Sequence, residues 1–98
     1  MINEYYTTYM WQEQRGELYY RIQTNDPRII RKLLRRLSCK ISCEWLTKYE
    51  YQFVTKYSTP QKARQSLKRL SKGVLEKDSD TGGFMVKTYP KMKNLDNA

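Results

Sequence analysis

The chain has 98 residues, with 19 Lys or Arg against 10 Asp or Glu and no histidine, which gives a formal net charge of +9. This length predicts a single domain over 1–90 and a loose C-terminal tail over 91–98. The lack of histidine removes the commonest general base and metal ligand, and two cysteines alone cannot complete a structural zinc site. No nucleophile stands beside a recognisable base, so we expect a protein that is not an enzyme and needs no cofactor or metal.

The basic residues are concentrated in the middle of the chain. Residues 28–72 contain thirteen Lys or Arg but only two acids. Clustered positive charge is typical of nucleic-acid-binding proteins. No apolar run is long enough to cross a bilayer, and the first residues lack the pattern of a signal peptide. We therefore expect a cytoplasmic protein without a membrane partner.

Residues 4–24 predict a β-hairpin. Strand-forming residues fill 5–11, a turn with Gly16 follows at 14–17, and the strand pattern resumes at 18–23. Alternation on the second strand predicts that Leu18, Tyr20 and Ile22 face the core and that Tyr19, Arg21 and Gln23 face outward. The first strand gives no such assignment, because both of its faces carry aromatic residues.

The clearest helix signal covers 27–38. Asp26 is a suitable N-cap, and Pro27 occupies the first helical position, where its missing N–H costs nothing. At helical spacing the apolar residues fall on one arc: Ile29, Ile30, Leu33, Leu34 and Leu37. The opposite arc is cationic throughout: Arg28, Arg31, Lys32, Arg35 and Arg36. The predicted helix contains no acidic residue after its cap, so this arc indicates either an anionic partner or a face that is merely solvated.

Two strands are predicted next, over 39–45 and 49–57. In the first, Cys39, Ile41, Cys43 and Trp45 alternate with polar residues, which is the pattern of a half-buried strand and predicts both cysteines in the core. In the second, Tyr49, Tyr51 and Phe53 share a face. The aromatic residues expected in the core are Tyr20, Trp45, Tyr51 and Phe53.

A second helix is predicted over 60–72. Thr59 provides the N-cap, Pro60 begins the helix, and Gly73 is suited to end it. Its apolar stripe is narrow: Ala63, Leu67 and Leu70. Its cations are Lys62, Arg64, Lys68, Arg69 and Lys72. A turn-rich loop follows, and then a strand over 84–89 that Pro90 stops.

The two helices align at an offset of 33 residues. Six identical residues match: Pro27, Arg31, Leu34, Arg36, Leu37 and Ser38 with Pro60, Arg64, Leu67, Arg69, Leu70 and Ser71. Each helix follows a pair of strands, so the order ββα-ββα indicates an internal duplication. The alternative is that any two capped basic helices share this pattern.

These elements predict an α+β, two-layer domain, with an antiparallel sheet of four or five strands and both amphipathic helices on one face. Five leucines are expected beneath the helices: Leu33, Leu34, Leu37, Leu67 and Leu70.

The leading functional hypothesis is a nucleic-acid-binding protein that contacts phosphates through both helices, with little sequence preference. Its expected contacts are Arg28, Arg31, Lys32, Arg35, Arg36, Lys62, Arg64, Lys68, Arg69 and Lys72. An outward sheet face with Tyr19, Arg21 and Lys40 is a further candidate, because aromatic residues stack on unpaired bases. DNA and RNA, single and double strands, all stay open. The alternative is a protein–protein interaction module that inhibits a host enzyme.

The stretch RIQTNDPRIIRKL, from Arg21 to Leu33, combines a strand, a Thr-x-Asp-Pro turn and a basic helix. It resembles a segment of short, uncharacterised proteins of bacteriophages and other mobile elements. The resemblance covers about a seventh of the chain. It implies a phage or mobile-element origin, hence a host cytoplasm, and it assigns no functional residues.

Overall fold

The computed structural model describes residues 5–12 and 18–90. The predicted hairpin turn at 14–17 and the predicted tail at 91–98 lie outside these residues. The elements in chain order are β1 (Tyr6–Gln12), β2 (Tyr19–Thr24), α1 (Pro27–Leu34), a 3-10 turn (Leu37–Cys39), β3 (Lys40–Trp45), β4 (Tyr51–Lys56), α2 (Pro60–Ser71), β5 (Glu76–Lys77) and β6 (Phe84–Thr88).

All the strands form one antiparallel sheet in the order β3-β4-β2-β1-β6-β5. The α+β class and the antiparallel sheet with two helices are therefore confirmed. Within residues 5–12 and 18–90 the sheet has six strands, where four or five were predicted. The additional strand, β5, is only two residues long. It lies inside the segment predicted as a loop and exists because β6 pairs with it.

Both helices begin where their caps predict. The Asp26 carboxylate accepts a hydrogen bond from the backbone N–H of Arg28 at 2.9 Å, and the Thr59 hydroxyl accepts one from Lys62 N–H at 3.1 Å. In each helix proline follows the cap, so no backbone donor is lost at that position.

The first helix ends four residues earlier than predicted. The N–H of Arg36 bonds to the carbonyl of Leu33, so the last turn tightens into 3-10 geometry before the chain enters β3. As a result Leu34 and Leu37 are each 40% exposed, and the prediction that they are buried is wrong.

The core lies between the helices and one face of the sheet. The central strands contribute Met10, Ile22, Phe53 and Val86, all almost fully buried. The helices cover them with Ile29, Ile30, Leu33, Ala63, Leu67 and Leu70. Burial of the predicted stripe of α2 is therefore confirmed, as is that of Leu33, Tyr20, Tyr51 and Phe53.

The edge strand β3 differs most from its prediction. Cys39 is exposed, Ile41 is 56% exposed and Trp45 is 51% exposed, so the predictions of a half-buried strand, a core Cys39 and a core Trp45 are wrong. Only Cys43 packs against the core, and it is half-buried. The physical reason is position, because among the described strands β3 is terminal in the sheet and pairs with β4 alone.

Three smaller differences concern residues near turns. Leu18 is half-buried, and Tyr49 is 72% exposed between β3 and β4. At the end of α2 the left-handed conformation is taken by Lys72, with φ of 54°, and not by Gly73. Gly73 is needed for another reason: a Cβ there would lie 2.6 Å from Val86 Cγ1, so this glycine allows the chain to pass close to β6.

Candidate nucleic-acid interface

The buried carboxylate of Asp26 connects the start of α1 to β6. Besides capping the helix, it accepts hydrogen bonds from Arg28 Nε at 3.1 Å and Nη2 at 3.0 Å, and from the hydroxyl of Thr88 at 2.6 Å. The hydroxyl of Thr24 accepts a bond from the Asp26 N–H and shares another with Thr8. Burial alone would raise the pKa of Asp26, but the bonds from Arg28 and Thr88 outweigh it and hold the pKa below its usual value.

Three of the five cations of the predicted arc, in α1 and just after it, bond within the protein. Arg28 pairs with Asp26 and donates to the carbonyl of Tyr89 at 2.7 Å. Lys32 Nζ donates to the carbonyl of Leu70 at 2.9 Å, and Arg36 donates to the hydroxyl of Ser66 at 3.3 Å. These contacts fasten α1 to β6 and α2. The cationic arc is therefore not free to bind an outside anion at all five positions, because these three side chains already have partners.

Arg31 and Arg35 are exposed, and neither side chain makes a hydrogen bond or ion pair with any other residue among 5–12 and 18–90. Their guanidinium groups therefore remain available to an outside anion. Each guanidinium is a planar fork of five donors, which matches phosphate oxygens in bidentate geometry.

The cations of α2 are all exposed. Arg64 lies over the ring of Phe84, with its guanidinium carbon 5.8 Å from the ring centroid. The other four extend the basic surface of the helix layer: Lys62, Lys68, Arg69 and Lys72. Neither helix contains an acidic residue.

A groove of about 810 Å³ lies between α1, the end of α2 and β6. Six cationic residues line it: Arg28, Arg31, Lys32, Arg35, Lys72 and Lys87. The acidic lining residues are Asp26, already bonded to Arg28, and Glu76. Burial and the neighbouring charge of Lys72 lower the pKa of Lys32. The groove is therefore a region of positive potential that a bound anion would relieve.

The opposite face of the sheet carries two of the three further candidates. Tyr19 pairs with Lys56, and Arg21 pairs with Val54 on one side and Trp11 on the other. These residues alternate with the core residues Tyr20 and Ile22, so they face away from the helices. Lys40 lies on the other face of the sheet. It pairs with Thr55, which in turn pairs with the core residue Tyr20, and directly paired residues share a face.

The sequence analysis missed four residues of this outer face. The Arg21 guanidinium lies 5.9 Å from the Trp11 ring centroid, Lys56 lies 5.8 Å from that of Tyr19, and Lys87 lies 4.9 Å from that of Tyr5. Such cation–aromatic pairs are mutually attractive. The signal that locates Trp11 and Tyr5 is strand register, because pairing of Trp11 with Arg21 assigns the odd-numbered residues of the first strand to this face.

No group of three or more Cys, Asp or Glu in the described part of the chain is arranged to bind a metal ion. The carboxylate of Asp78 accepts hydrogen bonds from the N–H of Asp80 and the hydroxyl of Thr81. These bonds stabilise the turn between β5 and β6. Within residues 5–12 and 18–90, no helix has the length and apolar character needed to span a membrane.

Comparison with protein-family models, with curated proteins and with solved structures gives no match to this chain.

Proposed function

We propose that the chain is a small basic protein without enzymatic activity that binds nucleic acid through phosphate contacts from its two helices. The observation that carries the proposal is the cationic groove, where Arg31, Arg35 and Lys72 lie exposed around a cleft that also contains Lys32. The phosphates of a nucleic-acid backbone fit such a cluster best. They present negative charges at regular short intervals, so several of them can contact several of these cations at once.

The groove continues onto a wider basic surface. Both helices pack on the same face of the sheet, so the exposed cations of α2 face solvent on the same side as Arg31 and Arg35. A backbone that lies in the groove can therefore continue across Lys68 and Arg69. Contacts of this kind position a protein on nucleic acid without reading its bases, and we expect little sequence preference.

The partners of Arg28, Lys32 and Arg36 refine the proposed contacts. Since these three side chains already bond to the protein, their main part is to hold α1 in place and to add positive potential. The direct contacts are assigned to Arg31, Arg35, Lys62, Lys68, Arg69 and Lys72. Arg64 joins them at the side where it lies over Phe84.

The test is fluorescence anisotropy with labelled single-stranded DNA, duplex DNA and RNA at two salt concentrations. Arg31→Glu with Arg35→Glu should weaken binding at least about tenfold, equally for unrelated sequences, because both groups face solvent and change sign. The matched control is Lys48→Glu with Lys77→Glu, two exposed lysines that do not line the groove. Equal losses in the two variants would attribute binding to net charge alone and contradict the assigned site.

A second candidate is the protein–protein interaction module. The observation that favours it is the exposed apolar surface at the edge of the sheet, where Ile41 and Trp45 are both more than half exposed. Such surface on a small protein marks an interaction site. If the wild-type chain binds no nucleic acid at low salt, this candidate replaces the first. A phage or mobile-element origin and a cytoplasmic location remain predictions under both.

The predicted internal duplication also remains a proposal. It is supported by the centre of the sheet, where Arg21 of β2 pairs with Val54 of β4 in antiparallel orientation. These two positions are 33 residues apart, which is the offset that aligns the helices. A local two-fold axis through this pair would exchange the unit β1-β2-α1 with the unit β3-β4-α2.

A further inference from the structure

Tyr89 adds an aromatic residue to the lining of the cationic groove. The groove has a volume of about 810 Å³, and Tyr89 lines it together with Arg31, Arg35 and Lys72. Tyr89 is 60% exposed, although it follows directly after the last residue of β6. An exposed aromatic residue beside three exposed cations is suited to bind a base as well as phosphates.

The position of Tyr89 is fixed by two contacts. The guanidinium of Arg28 donates a hydrogen bond to the Tyr89 carbonyl at 2.7 Å, and Arg28 is itself held by the buried carboxylate of Asp26. In addition, the rings of Tyr89 and Tyr5 make an edge-to-face contact, with their centroids 6.2 Å apart. Tyr89 is therefore held at the groove before any ligand binds, which lowers the entropic cost of binding.

Positive charge flanks this aromatic pair from both β6 and α1. Lys87 lines the groove, and its ammonium nitrogen lies 4.9 Å from the centroid of the Tyr5 ring. On the α1 side, Arg31 and Arg35 are one helical turn apart, so their side chains lie on the same face and can contact neighbouring phosphates of one strand. The groove thus combines groups that bind phosphate with a group that stacks on a base.

We propose that the groove binds unpaired nucleotides of a single strand, with a base stacked on Tyr89 and the adjoining phosphates on Arg31 and Arg35. The inference rests on the proposed function, and it names the form of nucleic acid that the groove takes. A volume of about 810 Å³ lies within the range of about 300–1,000 Å³ that encloses a small ligand, so the groove can hold a nucleotide or two of a strand but not a double helix.

Single strands and duplexes should therefore differ in their contacts with the groove. The bases of a duplex are paired and stacked within the double helix, so their faces cannot reach Tyr89. Unpaired bases are free to stack on aromatic side chains. A duplex would still contact the exposed helix cations through its phosphates, but Tyr89 would add nothing to its affinity.

The first test is fluorescence anisotropy of Tyr89→Ala with a labelled single strand and with the duplex of the same sequence. The substitution should weaken single-strand binding at least about fivefold, through loss of one base–aromatic stack, and leave duplex binding unchanged. Tyr49→Ala is the matched control, because Tyr49 is 72% exposed but does not line the groove. A selective loss with either DNA or RNA supports the proposal and identifies the strand, whereas equal effects of the two substitutions would overturn it.

An abasic single strand separates stacking from charge. Such a strand keeps its phosphates but has no bases, so Tyr89→Ala should bind it as tightly as the wild type does. Tyr89→Trp keeps an aromatic face and should bind an ordinary single strand at least as tightly as the wild type. Equal weakening of Tyr89→Ala on the abasic and the ordinary strand would overturn the stacking role. If Tyr89→Ala matches the wild type on every ligand, this inference fails while the proposed function stands; if the wild type binds no nucleic acid, both fail.

Discussion

Replacing Asp26 by alanine should destabilise the protein far more than removal of an ordinary helix cap. The carboxylate is 1% exposed and has three protein partners, namely the Arg28 backbone, the Arg28 guanidinium and the Thr88 hydroxyl. Loss of an N-cap costs about 1 kcal/mol. Loss of hydrogen bonds to a charged group adds about 1.5–3 kcal/mol, because Thr88 and Arg28 keep polar atoms that need partners. We therefore expect a decrease in unfolding free energy of about 2.5–4 kcal/mol.

Thr59→Ala is the matched comparison. Thr59 also caps a helix whose first residue is proline, but it is exposed, and its hydroxyl accepts a hydrogen bond from Lys62 N–H alone among the described residues. Its loss should cost about 0.5–2 kcal/mol. Urea denaturation followed by circular dichroism gives both values. Equal costs for the two substitutions would show that the buried network adds nothing to the cap.

The pKa of Asp26 adds a pH dependence with a definite sign. Its pKa in the folded protein lies below the unfolded value of 3.8. The stability that the carboxylate contributes is therefore present above pH 3.8 and is lost as the pH falls through the lower, folded pKa. Asp26→Asn should flatten the fall in stability over this range. An unchanged acid limb in the variant would contradict the assigned role.

Three further substitutions test other parts of the account. Gly83→Ala should lower the melting temperature by several degrees, because a Cβ there would overlap the carbonyl of Met10 and lie 2.8 Å from Trp11 Cα; an unchanged melting temperature would refute this close approach. Lys72→Gly should leave the fold intact or stabilise it, since it removes a left-handed non-glycine residue, while weakening nucleic-acid binding; unchanged binding would remove Lys72 from the site. Tyr19→Ala should reduce affinity for single-stranded DNA by about 1–3 kcal/mol without affecting duplex binding, as judged by anisotropy, if the outer sheet face stacks bases; equal losses on both ligands would contradict stacking.

Local signals predicted much of the fold. Asp26, Thr59 and the prolines that follow them set both helix starts, because capping depends on residues close in sequence. The apolar stripe of α2 could also be predicted, since helical spacing alone places Ala63, Leu67 and Leu70 on one side of the helix. The α+β class follows from these helices and from the alternation in the strands.

Features that depend on the order of strands in the sheet could not be predicted from local sequence patterns. The pattern of β3 predicts burial for Trp45, but burial also requires something to cover the strand, and the position of β3 at the edge leaves it uncovered. Similarly, the early end of α1 depends on how the chain must turn to enter β3, and the two-residue β5 exists only through its pairing with β6.

The candidate site was predictable in composition but not in detail. Sequence spacing identified the cationic arc of α1, yet it could not show that Lys32 reaches the carbonyl of Leu70 or that Arg36 reaches Ser66, because those partners lie 38 and 30 residues away. The part of the basic surface that remains available, chiefly Arg31 in α1 and Arg35 directly after it, can be identified only when these long-range contacts are known.

The salt dependence of nucleic-acid binding tests the central proposal most directly. Each duplex phosphate that is neutralised contributes about −0.9 to the slope of log K against log salt concentration, so six contacts give roughly −5. The proposal predicts such a slope for the wild type, and a slope closer to zero by about two units for Arg31→Glu with Arg35→Glu. A wild-type slope near zero, or a double variant with the wild-type slope, would contradict it.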